Sequence, residues 1–127
     1  MIIVKLTRDE TRCIQQYFFP FLDELCKMKE RQALQDSDRH AQHMVLDLYK
    51  QAKKVIDRKL LTTADKFSIR FTDSQAIILH QLLLALPLDA NNVYLVNLRQ
   101  LLCNIIVKEI NAVLFVNQMQ RRSAVPA

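Results

Sequence analysis

The chain has 127 residues, of which half are hydrophobic and 24% charged, with a formal net charge of +5 and no glycine. This balance is typical of one globular domain of about 100–200 residues with a core of its own. The lack of glycine excludes a P-loop, a dinucleotide-binding fingerprint and a nucleophile elbow, because each needs backbone geometry that only glycine supplies.

The N-terminal residues predict a short strand followed at once by a helix. Apolar side chains occupy alternate positions from residue 2 to residue 6, and Lys5 falls on the opposite face. This period of two is typical of a half-buried strand. Thr7 and Glu10 then have the spacing of a capping box, which predicts that a helix begins there.

Two amphipathic helices are predicted in the rest of the first half. Apolar residues recur at steps of three and four from Cys13 to Met28. Pro20 predicts a kink or a break, because proline lacks an amide donor and crowds the preceding turn. After a polar segment, Ser37 or Asp38 is the expected cap of a second helix, whose apolar stripe runs to about Leu60.

The second half of the chain repeats this order. Residues 66–72 alternate as a strand, and a helix is predicted from about residue 74 to residue 86, where Pro87 closes it. The longest helix is predicted from residue 93 to about residue 120. Residues 121–127 are expected to form a disordered tail.

These elements predict a helix-dominated α+β domain over residues 1–120, with four main helices and a two-stranded antiparallel pair in the order βααβαα. The segments IVKLT and SIRFT have the same pattern at an offset of 65 residues, which defines candidate halves 1–65 and 66–120. An ancient duplication is one explanation. The other is that strand–cap–helix patterns recur for physical reasons alone. Related halves would pack around a pseudo-twofold axis.

The last two predicted helices are apolar around most of their circumference. In the longer one, the polar residues fall in a narrow stripe, for which we favour a solvent face over a polar seam between helices: Asn97, Gln100, Asn104, Lys108, Asn111 and Gln118. Such helices need burial on most sides, either at the centre of the monomer or against a partner. We predict a non-enzymatic interaction module that forms a homodimer, with five anchors: Leu83, Leu84, Ile106, Leu114 and Phe115.

Basic residues are concentrated in the middle of the chain. From Lys27 to Lys59 there are nine basic and five acidic residues, which account for most of the net charge. Four of the basic residues share an outward arc of the predicted second helix: Lys50, Lys53, Lys54 and Arg58. Such a face can follow the phosphates of a nucleic acid, so a nucleic-acid-binding accessory protein is the alternative function. The plain alternative is a solvated helix surface.

The sequence gives little support for a metal site or a catalytic site. The best metal-like group shares one helix face: Asp36, His40, His43 and Asp47. Because that face points away from the apolar stripe and continues into cations, we interpret it as a solvated surface and predict no metal or other cofactor. The three cysteines have no C-x-x-C spacing and no histidine placed beside them as a base. We therefore predict that the protein is not an enzyme.

Cysteine usage and hydropathy indicate the compartment. An odd number of cysteines without a regular spacing argues against a disulfide framework and favours a reducing, cytoplasmic location. The first residues lack the basic and long apolar regions of a signal peptide. The most apolar stretch, residues 76–88, is too short to span a bilayer, so no membrane association is expected.

Overall fold

The computed structural model describes residues 1–32 and 36–124, with side chains described for residues 1–32 and 39–112. Its elements follow the predicted order: β1 (Ile2–Thr7), α1 (Arg8–Cys13), a π-helical segment (Ile14–Phe18), α2 (Phe19–Gln32), α3 (Asp36–Leu60), β2 (Lys66–Phe71), α4 (Asp73–Leu84) and α5 (Val93–Ala124). The π-helical segment joins α1 and α2 without a gap, so the three form one helical unit. The helix-dominated α+β fold with the order βααβαα is therefore confirmed.

The two strands form one antiparallel sheet, which buries a single face. Val4 lies opposite Ile69 at the centre of the register, and Ile2 lies opposite Phe71 at one end. The alternate apolar residues of both strands are at most 5% exposed: Ile2, Val4, Leu6, Phe67, Ile69 and Phe71. A two-stranded sheet is marginal by itself in water. Contacts of α3, α4 and α5 with the strands supply the covering layer that makes it stable.

Many apolar side chains of α4 and of the first half of α5 are buried within this one chain. Seven of them are at most 4% exposed: Ala76, Leu79, Leu82, Leu83, Leu98, Leu102 and Ile106. Full burial of a leucine or isoleucine side chain contributes about 1.5–3 kcal/mol to folding. Six large hydrophobic side chains of these helices are nevertheless at least 40% exposed: Ile77, Leu84, Val93, Tyr94, Leu101 and Val107. The monomer therefore buries only part of the apolar surface that predicts a partner.

The offset of 65 residues that relates the two candidate halves also relates the two strands of the sheet. Val4 and Ile69 are equivalent positions at that offset, and they lie opposite each other. Both strands also end in a complete capping box, formed by Thr7 with Glu10 and by Thr72 with Gln75. A local twofold axis therefore relates the strands and the helix starts. It does not extend through α2, since α4 has 12 residues and ends at Leu84, the equivalent of Phe19, where α2 begins.

Pro20 does not break the first helical unit. It is the second residue of α2, which begins directly after the π-helical segment. At the end of that segment, the N–H of Phe19 donates to the carbonyl of Ile14. In a regular α-helix the ring of Pro20 would clash with the carbonyl four residues earlier, that of Gln16. The wider π turn lies at this position. The predicted irregularity thus takes the form of a local change in helix type.

Arg8 fixes the connection between α3 and β2. Its guanidinium donates to the carbonyls of Leu60, Thr62 and Ala64, and it lies 5.2 Å from the centre of the Phe67 ring. Its backbone N–H donates to the carbonyl of Asp65 at 2.7 Å. One side chain therefore holds the loop against the end of the sheet.

The ends of the last two helices differ from the sequence prediction. The helix predicted to reach residue 86 ends at Leu84, although Leu86 is still buried in the core. The last helix continues through Ala124, so the start of the predicted tail, residues 121–124, is helical. The remaining three residues lie outside the described part of the chain.

Loss of the second capping box is expected to destabilise the protein. Thr72→Ala removes the hydroxyl that accepts the N–H of Gln75 at 3.2 Å, which should lower the free energy of unfolding by about 1 kcal/mol. Thr63→Ala is the matched control, because Thr63 is exposed and makes no side-chain hydrogen bond within the described residues. Urea denaturation measures both variants. Equal effects would show that the cap does not stabilise α4.

Candidate functional site

The outer face of the two-stranded sheet carries the most distinctive set of exposed side chains. Alternation sends every second residue of each strand away from the core. We call this set the ribbon face: Ile3, Lys5, Thr7, Lys66, Ser68 and Arg70. Its cross-strand pairs are Ile3 with Arg70, Lys5 with Ser68, and Thr7 with Lys66.

The ribbon face is cationic and rich in hydrogen-bond donors. All six side chains are exposed, and none is a carboxylate. Among the side chains that the structure describes, Lys5, Lys66 and Arg70 take part in no ion pair or hydrogen bond. Their donors are therefore available to an anionic or polar partner.

The local twofold axis relates two of these cations. Lys5 and Arg70 are equivalent at the offset of the two halves, and each follows a member of the central pair Val4 and Ile69. Because the strands run antiparallel, the two cations lie on opposite sides of the centre. At about 3.4 Å per residue, they are displaced by about 7 Å along the ribbon.

Two shallow hollows flank Lys5. One, of about 360 Å³, lies over the strand ends and is lined by Thr7, Lys66 and Ser68 together with Glu10. The other, of about 430 Å³, lies between β1 and α5 and is lined by Ile3, Ile105, Lys108 and Glu109. Carboxylates thus stand at the borders of the ribbon face, while its centre is positive.

Sequence reasoning missed this surface, although the necessary signal was present. The alternation in IIVKLT and KFSIRF puts the basic residues opposite the apolar ones. A count of charges along the chain instead indicates a basic surface between Lys27 and Lys59, because each strand by itself contributes only a few cations. Their pairing is what brings Lys5, Lys66 and Arg70 onto one face.

The basic face predicted on α3 is only partly available. Lys50, Lys54 and Arg58 are exposed. Lys53 is instead paired with Asp23 at 3.1 Å and lies 5.7 Å from the centre of the Phe19 ring. It therefore joins α3 to α2 and is a structural residue.

Asp23 also holds the buried Tyr49. The hydroxyl of Tyr49 donates to Oδ1 of Asp23 at 2.7 Å, next to the carbonyl of Phe19 at 3.2 Å. Burial, and then this hydrogen bond, raises the pKa of Tyr49. Because the hydroxyl stays protonated, it remains a donor at neutral pH, and this cluster is accounted for by the packing of α2 on α3.

The described members of the metal-like group do not form a metal site. His40 and His43 are exposed on α3, and Asp47 accepts a hydrogen bond from Gln51 at 2.9 Å. The side chain of Asp36 lies outside the described residues. Within the part of the chain that the structure describes, no three histidine, cysteine or acidic side chains come together as metal ligands.

Two of the three cysteines lie in surroundings that suppress the thiolate. Cys26, expected near a polar face, is buried, and its burial together with the charge of Asp23 raises the pKa of its thiol. Burial also raises the pKa of Cys103, against a smaller opposite effect of Arg99. Cys13 is half-buried. Neither of the two buried thiols has the environment of a nucleophile.

The predicted dimer anchors divide into three groups. Leu83 and Ile106 are completely buried, so they belong to the core and are not accessible to a partner. Leu84 is 64% exposed at the end of α4. The side chains of Leu114 and Phe115 lie outside the described residues. Self-association stays a prediction, and Leu84 is the one described anchor that it can use.

Leu84 borders an open groove of about 620 Å³, which we call the α4–α5 groove. His80 and Leu84 of α4 form one wall, and Arg99, Val107 and Lys108 of α5 form the other, with three amide side chains of the polar stripe. The members of that stripe whose side chains are described are exposed within this chain. Gln118 lies outside those residues.

Comparison with known proteins gives no relative. The chain matches no family model, no curated protein sequence and no solved structure. Among the helices of the described residues, none combines the length and the apolar run needed to cross a bilayer. The functional interpretation therefore rests on the residues of this chain.

The thiol environments predict slow alkylation of two cysteines. In the native protein at pH 8, iodoacetamide should modify Cys13 first, while Cys26 and Cys103 should react only as fast as the protein unfolds. Mass spectrometry of peptides after timed quenching measures each site. Rapid modification of either buried cysteine in the folded protein would contradict the assignment and indicate a reactive thiol.

Proposed function

We propose that the protein is a non-enzymatic DNA-binding module that inserts its ribbon face into the major groove of a duplex. One observation carries the proposal: a two-stranded ribbon exposes three cations and two hydroxyls, with no carboxylate on the same face. The proposal takes up the alternative function, a nucleic-acid-binding protein, in place of the predicted self-association module. It moves the nucleic-acid surface from α3 to the sheet.

The shape of the ribbon supports this choice. The major groove of B-DNA is about 12 Å wide and admits a two-stranded ribbon. Paired strands lie about 5 Å apart, and a strand of six residues spans about 20 Å. The ribbon is therefore narrow enough to enter the groove and long enough to follow several base pairs.

The side chains of the ribbon face match what the major groove presents. Lysine and arginine donate to the O6 and N7 acceptors of guanine, and serine and threonine bond to several base edges. Lys5 and Arg70 lie on either side of the local twofold axis, about 7 Å apart along the ribbon, so they can contact bases about two base pairs apart.

The packing behind the ribbon supports a rigid recognition surface. Both strands lead directly into capped helices, and Arg8 holds the loop before β2. A surface that is ordered before binding loses little conformational entropy when it meets the DNA. The net charge of +5 adds attraction to phosphates, so the affinity should fall steeply with salt.

Removing the two central cations should weaken DNA binding. We expect the double variant Lys5→Gln, Arg70→Gln to lower the affinity for a bound duplex by about tenfold or more, since each good base contact is worth about 1–3 kcal/mol. The fold should survive, because both side chains are exposed. Fluorescence anisotropy with labelled duplexes selected from a random pool measures the affinity.

The double variant Lys50→Gln, Lys54→Gln is the matched control, since it removes the same charge from α3. The affinity of this variant should decrease by a similar factor for every duplex sequence, because it loses only nonspecific attraction to the phosphates. Circular dichroism checks that both variants are folded. The proposal fails if no duplex is selected, if the α3 variant loses more affinity than the ribbon variant, or if only single-stranded nucleic acid binds.

A further inference from the structure

The α4–α5 groove differs chemically from the ribbon face, because it combines cations with exposed apolar side chains. Leu84 is 64% exposed and Val107 is 40% exposed, and both line the groove. Arg99 and Lys108 supply its positive charges, and His80 also lines it. Among its described lining residues, none is a carboxylate.

Arg99 is held in position at one end of the groove. Its Nη1 donates to the carbonyl of Leu86 at 2.7 Å, so the α4–α5 connection orients the guanidinium. The remaining N–H donors of the guanidinium are available for a carboxylate, to which a planar fork of donors is well matched. Gln100 and Asn104 are exposed, are bonded to each other at 2.8 Å and add polar groups to the α5 wall of the groove.

The dimensions of the groove fit a helix. Its α5 wall runs from Arg99 to Asn111, which at about 1.5 Å per residue is about 18 Å. Over that length an incoming helix presents about 12 residues, or three turns. Amphipathic helices bind such grooves through apolar residues at positions i, i+3, i+4 and i+7.

The charges argue against a second copy of this chain as the occupant. In a symmetric dimer the same patch is present on both sides of the interface. Arg99 and Lys108 would then face a surface with the same positive charges and no carboxylate to offset them. A partner of opposite charge suffers no such repulsion.

We propose that the α4–α5 groove binds an acidic amphipathic helix of another protein. The apolar residues of that helix contact Leu84 and Val107, and its aspartates and glutamates pair with Arg99 and Lys108. This interaction does not depend on the ribbon face. Leu84→Glu, which changes a residue outside the ribbon face and its two hollows, should keep the wild type's preference among duplex sequences.

Selection of helical peptides tests the occupant directly. The full-length protein is the target for a displayed library of random 16-residue peptides, and enriched sequences are synthesised with a fluorescent label. We expect net negative charge and apolar residues at helical spacing in the enriched set. Anisotropy should give an affinity that falls with salt and that drops at least tenfold with Leu84→Glu.

Two further variants make the test specific. The double variant Arg99→Gln, Lys108→Gln should weaken binding of the acidic peptides, whereas Leu61→Glu, a control at a residue that is 85% exposed outside the groove, should not. Light scattering reports the mass of the wild type and of Leu84→Glu. The proposal is overturned if no peptide is enriched, if acidic residues are not favoured, or if Leu84→Glu has no effect. A dimer that Leu84→Glu dissociates would also overturn it and identify a second copy.

Discussion

The antiparallel pairing of β1 with β2 is the interaction on which the rest of the structure depends. It joins the two ends of a chain segment of some seventy residues and unites both halves around one layer of apolar side chains, with Val4 and Ile69 at its centre. Two strands alone are marginal, so the sheet exists only because α3, α4 and α5 cover its inner face. The same pairing determines what is exposed, since a slip by one residue would exchange the inner and outer faces.

The position of each strand end follows from local chemistry. Thr7 and Thr72 stop the strands and start the helices in the same way, with a side-chain oxygen in place of the missing helical acceptor. Arg8 then satisfies three carbonyls of the loop that returns to β2. Few degrees of freedom remain at the sheet. That rigidity suits the recognition role that we propose for the ribbon face.

The sequence predicts the fold well where the signals are local. The alternation at residues 2–6 and 66–72, the capping box at Thr7 and the apolar stripe of α3 each predict an element that the structure contains. Pro20 also predicts an irregular turn, because its effect on a helix is local. The sequence pattern does not predict that the irregularity is a π-helical segment. These features depend on neighbours within a few positions.

The candidate sites are predicted less well because they depend on tertiary contacts. Helical periodicity shows that Leu83 and Ile106 are on apolar sides, but it does not show that their own chain covers them. Lys53 belongs to a basic stripe in the sequence, yet Asp23 lies next to it only after α2 packs on α3. Lys5 and Arg70 share a face only through strand pairing. The surfaces for which we propose functions therefore form only when separate elements of the chain pack together.

Amide chemical shifts in an NMR titration with duplex DNA test the central claim most directly, because they locate the bound surface without changing any residue. If the ribbon face enters the major groove, the largest shifts will fall on residues 3–7 and 66–70, from both strands together and at the same DNA concentration. Shifts confined to residues 50–58 of α3, or to one strand alone, would contradict this account. They would place the nucleic-acid surface elsewhere on the molecule.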